Sequence, residues 1–473
     1  MKNTYRKQHQ WISIISFRMW KSLYVIMLIS CLTSCDDFVD VDLPKSQLTS
    51  EAVFEDAATA TAVLKSIYSK MRNSGLTFNL SQYMGLYADE LDEYNSPISS
   101  PLYDHTLLAS DVFVESWWNG TYNLIYEANG VIEGAQNSTA LSQEDKNQLI
   151  GEALFIRAYM HFLLVELWGA IPYISTTNYI ENSKVSRMAV SEVYNQIIND
   201  LIVASDLLGE DISAERVRPY DAVADALLAR VYLYNGQWEL AEEMASLAID
   251  RFVWEPDLNK VFLKNSSGSI WQFKPELAGN NTKEGALFIF TASPGLSPVL
   301  STSLLNAFET TRPGDQRRYN TNTNWVKSVT SGTNIWYHAF KYKEQTNTGS
   351  TSLEYSIIFR LAEQYLIRAE ARAQLGDIPG AQTDLNVIRN RASLPNTTAT
   401  TQNDLLEAIL QERRVELFTE QGHRWFDLKR TGKAAEVLAP IKTGWKDTDI
   451  LLPIPESEIL KNQNLLPQND GYN

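Results

Sequence analysis

Apolar residues recur at helical spacing along most of the chain. Between Ser50 and Met71 they fall on one face of a predicted helix, whose start Thr49 or Ser50 can cap. A second stripe, from Ala153 to Leu164, has the same period. These stripes are packing faces first, and they predict a mainly α fold.

Two segments of the chain resemble each other. When Gly236 is aligned with Gly376, small residues such as Ala229 and Ala369 fall at equivalent positions. Small residues at these steps let two antiparallel helices approach closely, and glycine suits the turn between them. The pattern predicts a tetratricopeptide-like scaffold of helical hairpins. Its predicted units are 221–249, the counterpart around Gly376, and a third unit at 144–208.

The segment 252–351 separates the two similar hairpins and has a different composition. It is rich in Gly, Ser, Thr, Asn and Pro, with short alternating stretches at 269–273 and 286–290. We expect it to form an insertion of loops and short strands that carries the ligand-binding region. Helical periodicity resumes at 355–375 and again at 405–418.

The beginning of the chain has the pattern of a secretion signal. Its basic, acid-free first part is followed by an apolar run from Leu23 to Leu32, which is too short to span a bilayer as a mature helix. Cys35 comes three residues after the end of this run and is preceded by the small residue Ser34. The pattern predicts a signal peptide over 1–34 with a lipobox and lipidation of Cys35, the alternative being a retained anchor.

These features divide the chain into five predicted parts, of which those from residue 49 onwards form one integrated globular unit. They are the signal peptide 1–34, a tether 35–48, an N-terminal helical part 49–251, the insertion 252–351 and a C-terminal helical part 352–473.

Composition narrows the classes of partner. Removing the five basic leader residues leaves 36 Lys and Arg against 57 acids, which deepens the net charge from −16 to −21. Nucleic acid is therefore an unsuitable partner, and attachment to a membrane should rest on the lipid anchor alone. Cys35 would be the only cysteine of the mature chain, which excludes a disulfide framework.

Residues that resemble catalytic or metal-binding groups have simpler structural interpretations. His423 lies among several acids, but its spacing fits no zinc pattern. We expect its motif to satisfy buried polar groups and to pair Arg424 or Arg430 with acids. Asp89 and Glu90 could in principle serve a glycosidase, which needs two carboxyl groups that flank the scissile bond. Adjacency in the sequence does not show that arrangement. No nucleophile elbow, phosphate loop or dinucleotide fingerprint occurs, so we expect no catalysis and no cofactor, and we assign no metal-binding residue.

Aromatic residues in two loop segments suit sugar binding. Sugars stack on aromatic faces, while amides and carboxylates bind the hydroxyl rim. The segment 91–105 and the segment 271–342 offer this mixture. The candidate ligand-binding residues are Tyr94, Asn95, Tyr103, Trp271, Trp325, Trp336 and Tyr337. The alternative is that each aromatic side chain fixes its own loop to the core.

Three ordered motifs carry a family resemblance. They are FRLAEQYLIRAEA at 359–371, ERRVEL at 412–417 followed by GHRWFDLKR at 422–430, and LPIP at 452–455 followed by QNDGY at 468–472. Together with the lipobox and the hairpins, they resemble the SusD/RagB family of outer-membrane nutrient-uptake lipoproteins.

The resemblance implies a function. A member of this family would be lipid-anchored at the outer membrane, facing the extracellular side, and would sit on a TonB-dependent, SusC-like barrel transporter. It would capture an oligosaccharide and act as the transporter's lid. The acidic stretch after Cys35 gains a second interpretation, as an export signal. The segment 91–105 lacks the Gly- and Trp-rich run of starch-binding members, so starch is not implied. Peptide or amino-acid capture, a scaffold that binds no small ligand, and a surface hydrolase remain alternatives.

Overall fold

A computed structural model describes residues 50–94, 100–210, 215–310 and 314–472. The predicted signal peptide, Cys35 and the tether lie outside the described residues, as does Asn95.

Helices occupy most of the described part of the chain. In chain order they are α1 (Ser50–Val53), α2 (Ala57–Asn73), α3 (Gly75–Tyr87), α4 (Ser100–Tyr103), α5 (Val112–Asn137), α6 (Gln143–Trp168), α7 (Tyr179–Asn182), α8 (Val190–Leu207), α9 (Asp221–Tyr234), α10 (Trp238–Arg251), α11 (Lys283–Phe288), α12 (Thr302–Ala307), α13 (Gln316–Tyr319), α14 (Leu361–Leu375), α15 (Ile378–Arg391), α16 (Gln402–Glu416), α17 (His423–Arg430), α18 (Ala434–Leu438) and α19 (Glu456–Lys461). Short 3-10 helices cover Asp447–Ile450 and Gln463–Leu465.

The strands of the described residues are short and pair in twos, all antiparallel. β1 (Leu91–Asp92) pairs with β3 (Val299–Leu300), β2 (Ser269–Phe273) with β6 (Ser356–Arg360), and β4 (Val326–Ser331) with β5 (Asn334–Ala339). This arrangement, mainly helical with a few short strands, confirms the predicted fold class.

The two similar segments form helical hairpins. α9 packs against α10 and α14 against α15, while α10 also packs against α14, so the two hairpins are neighbours in space although the insertion separates them in sequence. Gly236 and Gly376 lie in the turns with φ of 69° and 85°. This left-handed conformation strains any residue with a Cβ, which explains the glycine at both positions.

The third predicted unit consists of α6 and α8, which pack against each other. Within the described part of the chain, α6 alone is long and apolar enough to cross a membrane, yet 89% of its most apolar window is buried in the protein. α6 is therefore the core helix around which the N-terminal helices pack.

Two local predictions from periodicity were wrong. The stretch 286–290 was expected to be extended, but α11 covers its first part because the Thr282 hydroxyl caps the helix by accepting the Gly285 N–H at 2.9 Å. Helical periodicity was expected from Tyr355, but β6 precedes α14. All five residues of β6 are buried, and its pairing with β2 supplies backbone partners that a helix would otherwise provide.

Buried charges join the insertion to the helical scaffold. We use the name central ion cluster for six charged residues whose side chains are all buried: Glu416, Glu420, Arg317, Lys341, Arg360 and Arg391. Glu416 accepts hydrogen bonds from Arg317 at 2.8 Å, from Arg360 at 2.5 Å and from Arg391. Glu420 pairs with Arg360 at 2.6 Å and with Lys341.

The positive charges of the cluster lower the pKa of Glu416. Burial alone would raise the pKa of Glu416, but the charges of Arg391, Arg360 and Arg317 outweigh burial and hold that pKa well below its usual range. Glu416 is therefore ionised, and it draws together α13, β6 and the end of α15 at the last turn of α16.

We predict that Glu416→Gln destabilises the protein by roughly 3–5 kcal/mol, because it leaves buried guanidinium groups without their carboxylate. Urea unfolding followed by circular dichroism measures the change. Glu407→Gln is the matched control on the same helix: Glu407 is exposed and pairs with Lys433 at the surface, so its loss should cost less than about 1 kcal/mol. Equal effects at the two positions would contradict the role of the cluster.

Candidate ligand-binding surface

Asp89 fixes the start of the first candidate loop. Its carboxylate accepts hydrogen bonds from Arg424 on α17 at 2.6 Å and from Arg414 on α16 at 2.5 Å. The Ser301 hydroxyl donates to the Asp89 carbonyl oxygen at 2.6 Å. The Asp89 carboxylate is buried and paired with both arginines, so it anchors the loop to α16 and α17.

Glu90 is buried beside it in a different environment. One carboxylate oxygen accepts the backbone N–H of Thr419 at 3.1 Å, and the Glu90 carbonyl accepts the Ser301 N–H at 2.9 Å. Burial raises the pKa of Glu90 to about 7, since the Thr419 N–H and the nearby charges of Lys341 and Arg424 only partly offset the loss of hydration.

Tyr94 and Trp336 form an aromatic pair at the surface. Tyr94 follows β1 and is 44% exposed, while Trp336 is half-buried on β5 opposite Val329 of β4. Their ring centroids lie 5.5 Å apart with planes at 79°, an edge-to-face contact. β3, which pairs with β1, also lies against β5. The strands thus bring these two aromatic residues, which are far apart in sequence, together at one surface. We name them the Tyr94–Trp336 pair.

Tyr103 lies on α4, close to the base of the same loop. It is half-buried, and its hydroxyl donates to Asp92 at 3.3 Å. The Lys442 ammonium lies 3.4 Å from the centre of the Tyr103 ring and donates to the Leu86 carbonyl at 2.8 Å. These contacts hold the ring in a fixed orientation.

Tyr337 lies next to Trp336 but points to the other face of the β4–β5 hairpin, as alternation along a strand requires. It is half-buried, and the Arg318 guanidinium carbon lies 5.9 Å from its ring centre. Sequence reasoning missed Arg318 and Tyr319. Tyr319 is 42% exposed, and the polar run of Asn and Thr after it was the available signal for an exposed aromatic ring.

The expectation that Trp271 and Trp325 contact a ligand was wrong. Both side chains have no exposed surface. Trp271 packs edge-on against Phe155, with ring centroids 5.1 Å apart, and Trp325 packs edge-on against Phe262 at 5.3 Å while donating its indole N–H to Leu258. They fix their strands to the core, as the alternative interpretation proposed.

The motif around His423 makes the ion pairs predicted for Arg424 and Arg430, but His423 Nδ1 and Trp425 Nε1 are buried without a hydrogen-bond partner among the described residues. His423 is buried, and desolvation together with the charges of Arg230 and Arg413 lowers its pKa well below the usual range, so the ring is neutral. Arg424 pairs with Asp89, and Arg430 pairs with Glu370. Within the described residues, no group of three or more His, Cys, Asp or Glu side chains is arranged to hold a metal ion.

Comparisons with known proteins identify the class. A model of the SusD family matches residues 267–472, and a model described as starch-binding and associating with the outer membrane matches residues 37–233. The two models together cover most of the chain, which therefore belongs to the SusD/RagB family.

Individual relatives match over nearly their whole length. SusD-like protein P2 of Formosa agariphila is 27% identical over 516 residues, covering 96% of this chain and 100% of the relative. A SusD-like protein of Bacteroides ovatus is 24% identical, covering 87% of this chain and 82% of the relative.

Solved structures share the fold. A SusD superfamily protein of Bacteroides vulgatus has a TM-score of 0.78 at 21% identity, covering 89% of this chain and 100% of the other. A laminarin-binding SusD-like protein has a TM-score of 0.73 at 24% identity, covering 88% of this chain and 99% of the other.

We predict that Glu90→Gln stabilises the protein at pH 8 by on the order of 2–3 kcal/mol and changes little at pH 5. Between the usual pKa of 4.5 and about 7, the folded protein keeps a proton that the unfolded chain has lost, so stability falls as the pH rises through this window. The amide removes that cost. Urea unfolding at both pH values measures the difference, with Glu407→Gln as the control, and a stabilisation independent of pH would contradict the assignment.

Proposed function

We propose that this protein is a cell-surface lipoprotein that captures a glycan and delivers it to a TonB-dependent outer-membrane transporter, for which it acts as the lid. The observation that carries the proposal is the Tyr94–Trp336 pair, an exposed aromatic surface beside a loop anchored by Asp89, on the scaffold of the SusD/RagB family. The laminarin-binding neighbour supports a glycan as the ligand class.

Capture by this surface would work by stacking. The apolar face of a pyranose ring packs on an exposed aromatic ring, and neighbouring polar groups bind the hydroxyl rim. Tyr94 offers the more exposed ring, and the edge-to-face contact with Trp336 holds it in place. Tyr103 and Asp92 lie at the base of the same loop, where they extend the surface, and Asn95 directly follows Tyr94 in sequence.

We propose binding without hydrolysis. A glycosidase needs two carboxyl groups that flank the scissile bond. Asp89 is bound to Arg424 and Arg414, and Glu90 is buried against the Thr419 backbone, so neither carboxyl is available for that role.

Attachment through Cys35 suits the lid role. The tether 35–48 has a contour length of at most about 50 Å, enough for the globular unit to move relative to a barrel while it stays anchored. We assign the transporter contact to the outer faces of the helical hairpins. Apolar side chains are exposed there, Ile202 and Val203 on α8 and Leu240 and Leu247 on α10, and exposed apolar surface is typical of a protein interface.

We predict that Trp336→Ala weakens glycan binding about tenfold or more, because it removes the aromatic surface and the support of Tyr94. Isothermal titration against a panel that includes laminarin, other neutral glucans, acidic polysaccharides and peptides measures the effect. Tyr179→Ala is the matched control, since Tyr179 is 75% exposed on α7, which belongs to neither candidate loop segment. Unchanged binding by the Trp336 variant would refute the site, and selective binding of peptides would replace the glycan with the alternative ligand.

We expect the wild-type protein to co-purify with a barrel transporter from detergent-solubilised membranes. Cys35→Ser should release the protein from membranes that lack the transporter, because the acyl chains on Cys35 are then the only attachment. A Cys35→Ser variant that still partitions with membranes lacking the transporter contradicts the lipid anchor, while recovery of the wild-type chain without a barrel contradicts the transport role.

A further inference from the structure

Arg318 lies between two tyrosine rings on the side of the β4–β5 hairpin away from Trp336. Its guanidinium carbon is 4.9 Å from the centre of the Tyr319 ring and 5.9 Å from that of Tyr337. One terminal nitrogen donates to the Leu305 carbonyl. The arginine is half-buried, while Tyr319 is 42% exposed beside it. The rings and the carbonyl therefore fix a cation at the edge of the protein surface.

Arg318 carries a positive charge without an acidic partner among the described residues. In the described part of the chain, no carboxylate oxygen lies within the 4.0 Å ion-pair distance of Arg318. Its neighbour Arg317 shows the contrast, because it is fully buried and pairs with Asp315, Glu412 and Glu416.

Most hydrogen-bond donors of Arg318 also have no acceptor in the part of the chain that the structure describes. A guanidinium group has five N–H donors, and Leu305 takes up one of them. A fixed guanidinium with free donors matches the geometry of a carboxylate or sulfate group, to which it donates two parallel hydrogen bonds. A neutral sugar offers no group that requires this charge.

We propose that Arg318, with Tyr319 and Tyr337, forms a subsite that recognises an anionic substituent, carboxylate or sulfate, on the captured glycan. This inference rests on the proposed function and names its ligand class as an acidic polysaccharide. Tyr319 supplies the stacking face for the sugar ring, and Arg318 supplies the charge that selects the acidic residue. The structural alternative is that Arg318 serves only to hold the Leu305 carbonyl.

The test compares acidic and neutral probes on the mature protein. Isothermal titration uses polygalacturonate as the carboxylate probe, a sulfated galactan as the sulfate probe, and laminarin as the neutral probe. We expect the wild type to bind at least one acidic probe, with affinity that falls as salt rises. Arg318→Met should weaken that binding about tenfold or more, and change laminarin binding less than about twofold.

Two further variants separate recognition from structure. Lys327→Met removes one positive charge from β4 of the same hairpin, where Lys327 is exposed, and should leave every affinity within about twofold. Arg318→Lys keeps the charge but not the paired donors, so it should give an intermediate loss on the acidic probe alone. Its melting temperature should equal that of the wild type.

Three results overturn the inference. Binding of laminarin but of neither acidic probe leaves the proposed function intact and removes the anionic subsite. An equal loss on neutral and acidic probes in the Arg318 variants assigns the residue a purely structural role. Absence of binding to all three probes, and to the wider panel, removes the proposed glycan capture together with this inference.

Discussion

A buried carboxylate must be compensated where it lies, and Glu416 meets this constraint by drawing guanidinium groups from distant parts of the chain. Arg317 comes from the insertion, Arg360 from β6 and Arg391 from the end of α15. Removing one member of such a cluster leaves the others buried without their counter-charge, which is why the elements must assemble together. The cluster thus determines where the loop-rich insertion meets the helical hairpins.

The candidate surface depends on this junction. Lys341, two residues after β5, pairs with Glu420 and donates to the Glu416 carbonyl at 2.8 Å, while Asp89, two residues before β1, pairs with Arg424. The strands that carry Trp336 and lead to Tyr94 are therefore each attached at one end to α16 or the segment that follows it. A surface held in this way is formed before the ligand arrives, so little conformational entropy is lost on binding.

The parts that sequence could predict are those governed by local periodicity. The stripe at 153–164, the glycines of both hairpins and the strand 269–273 each follow from neighbouring residues. The strand at 356–360 and the helix at 283–288 could not be predicted in this way, since a pairing partner from β2 and a cap at Thr282 decide them. For the candidate site, composition located aromatic loops but not exposure. Trp325 and Trp336 stand in similar polar surroundings in the sequence, yet only tertiary packing buries the first and leaves the second half-exposed.

The most direct test of the central claim is a pair of crystal structures of the protein, one free and one with an oligosaccharide bound. We predict that a sugar ring lies on Tyr94 and Trp336, with both side chains and the central ion cluster superposing between the two structures. A sugar bound elsewhere, or a surface that forms only after the β4–β5 hairpin has moved away from Glu416 and Glu420, would contradict it.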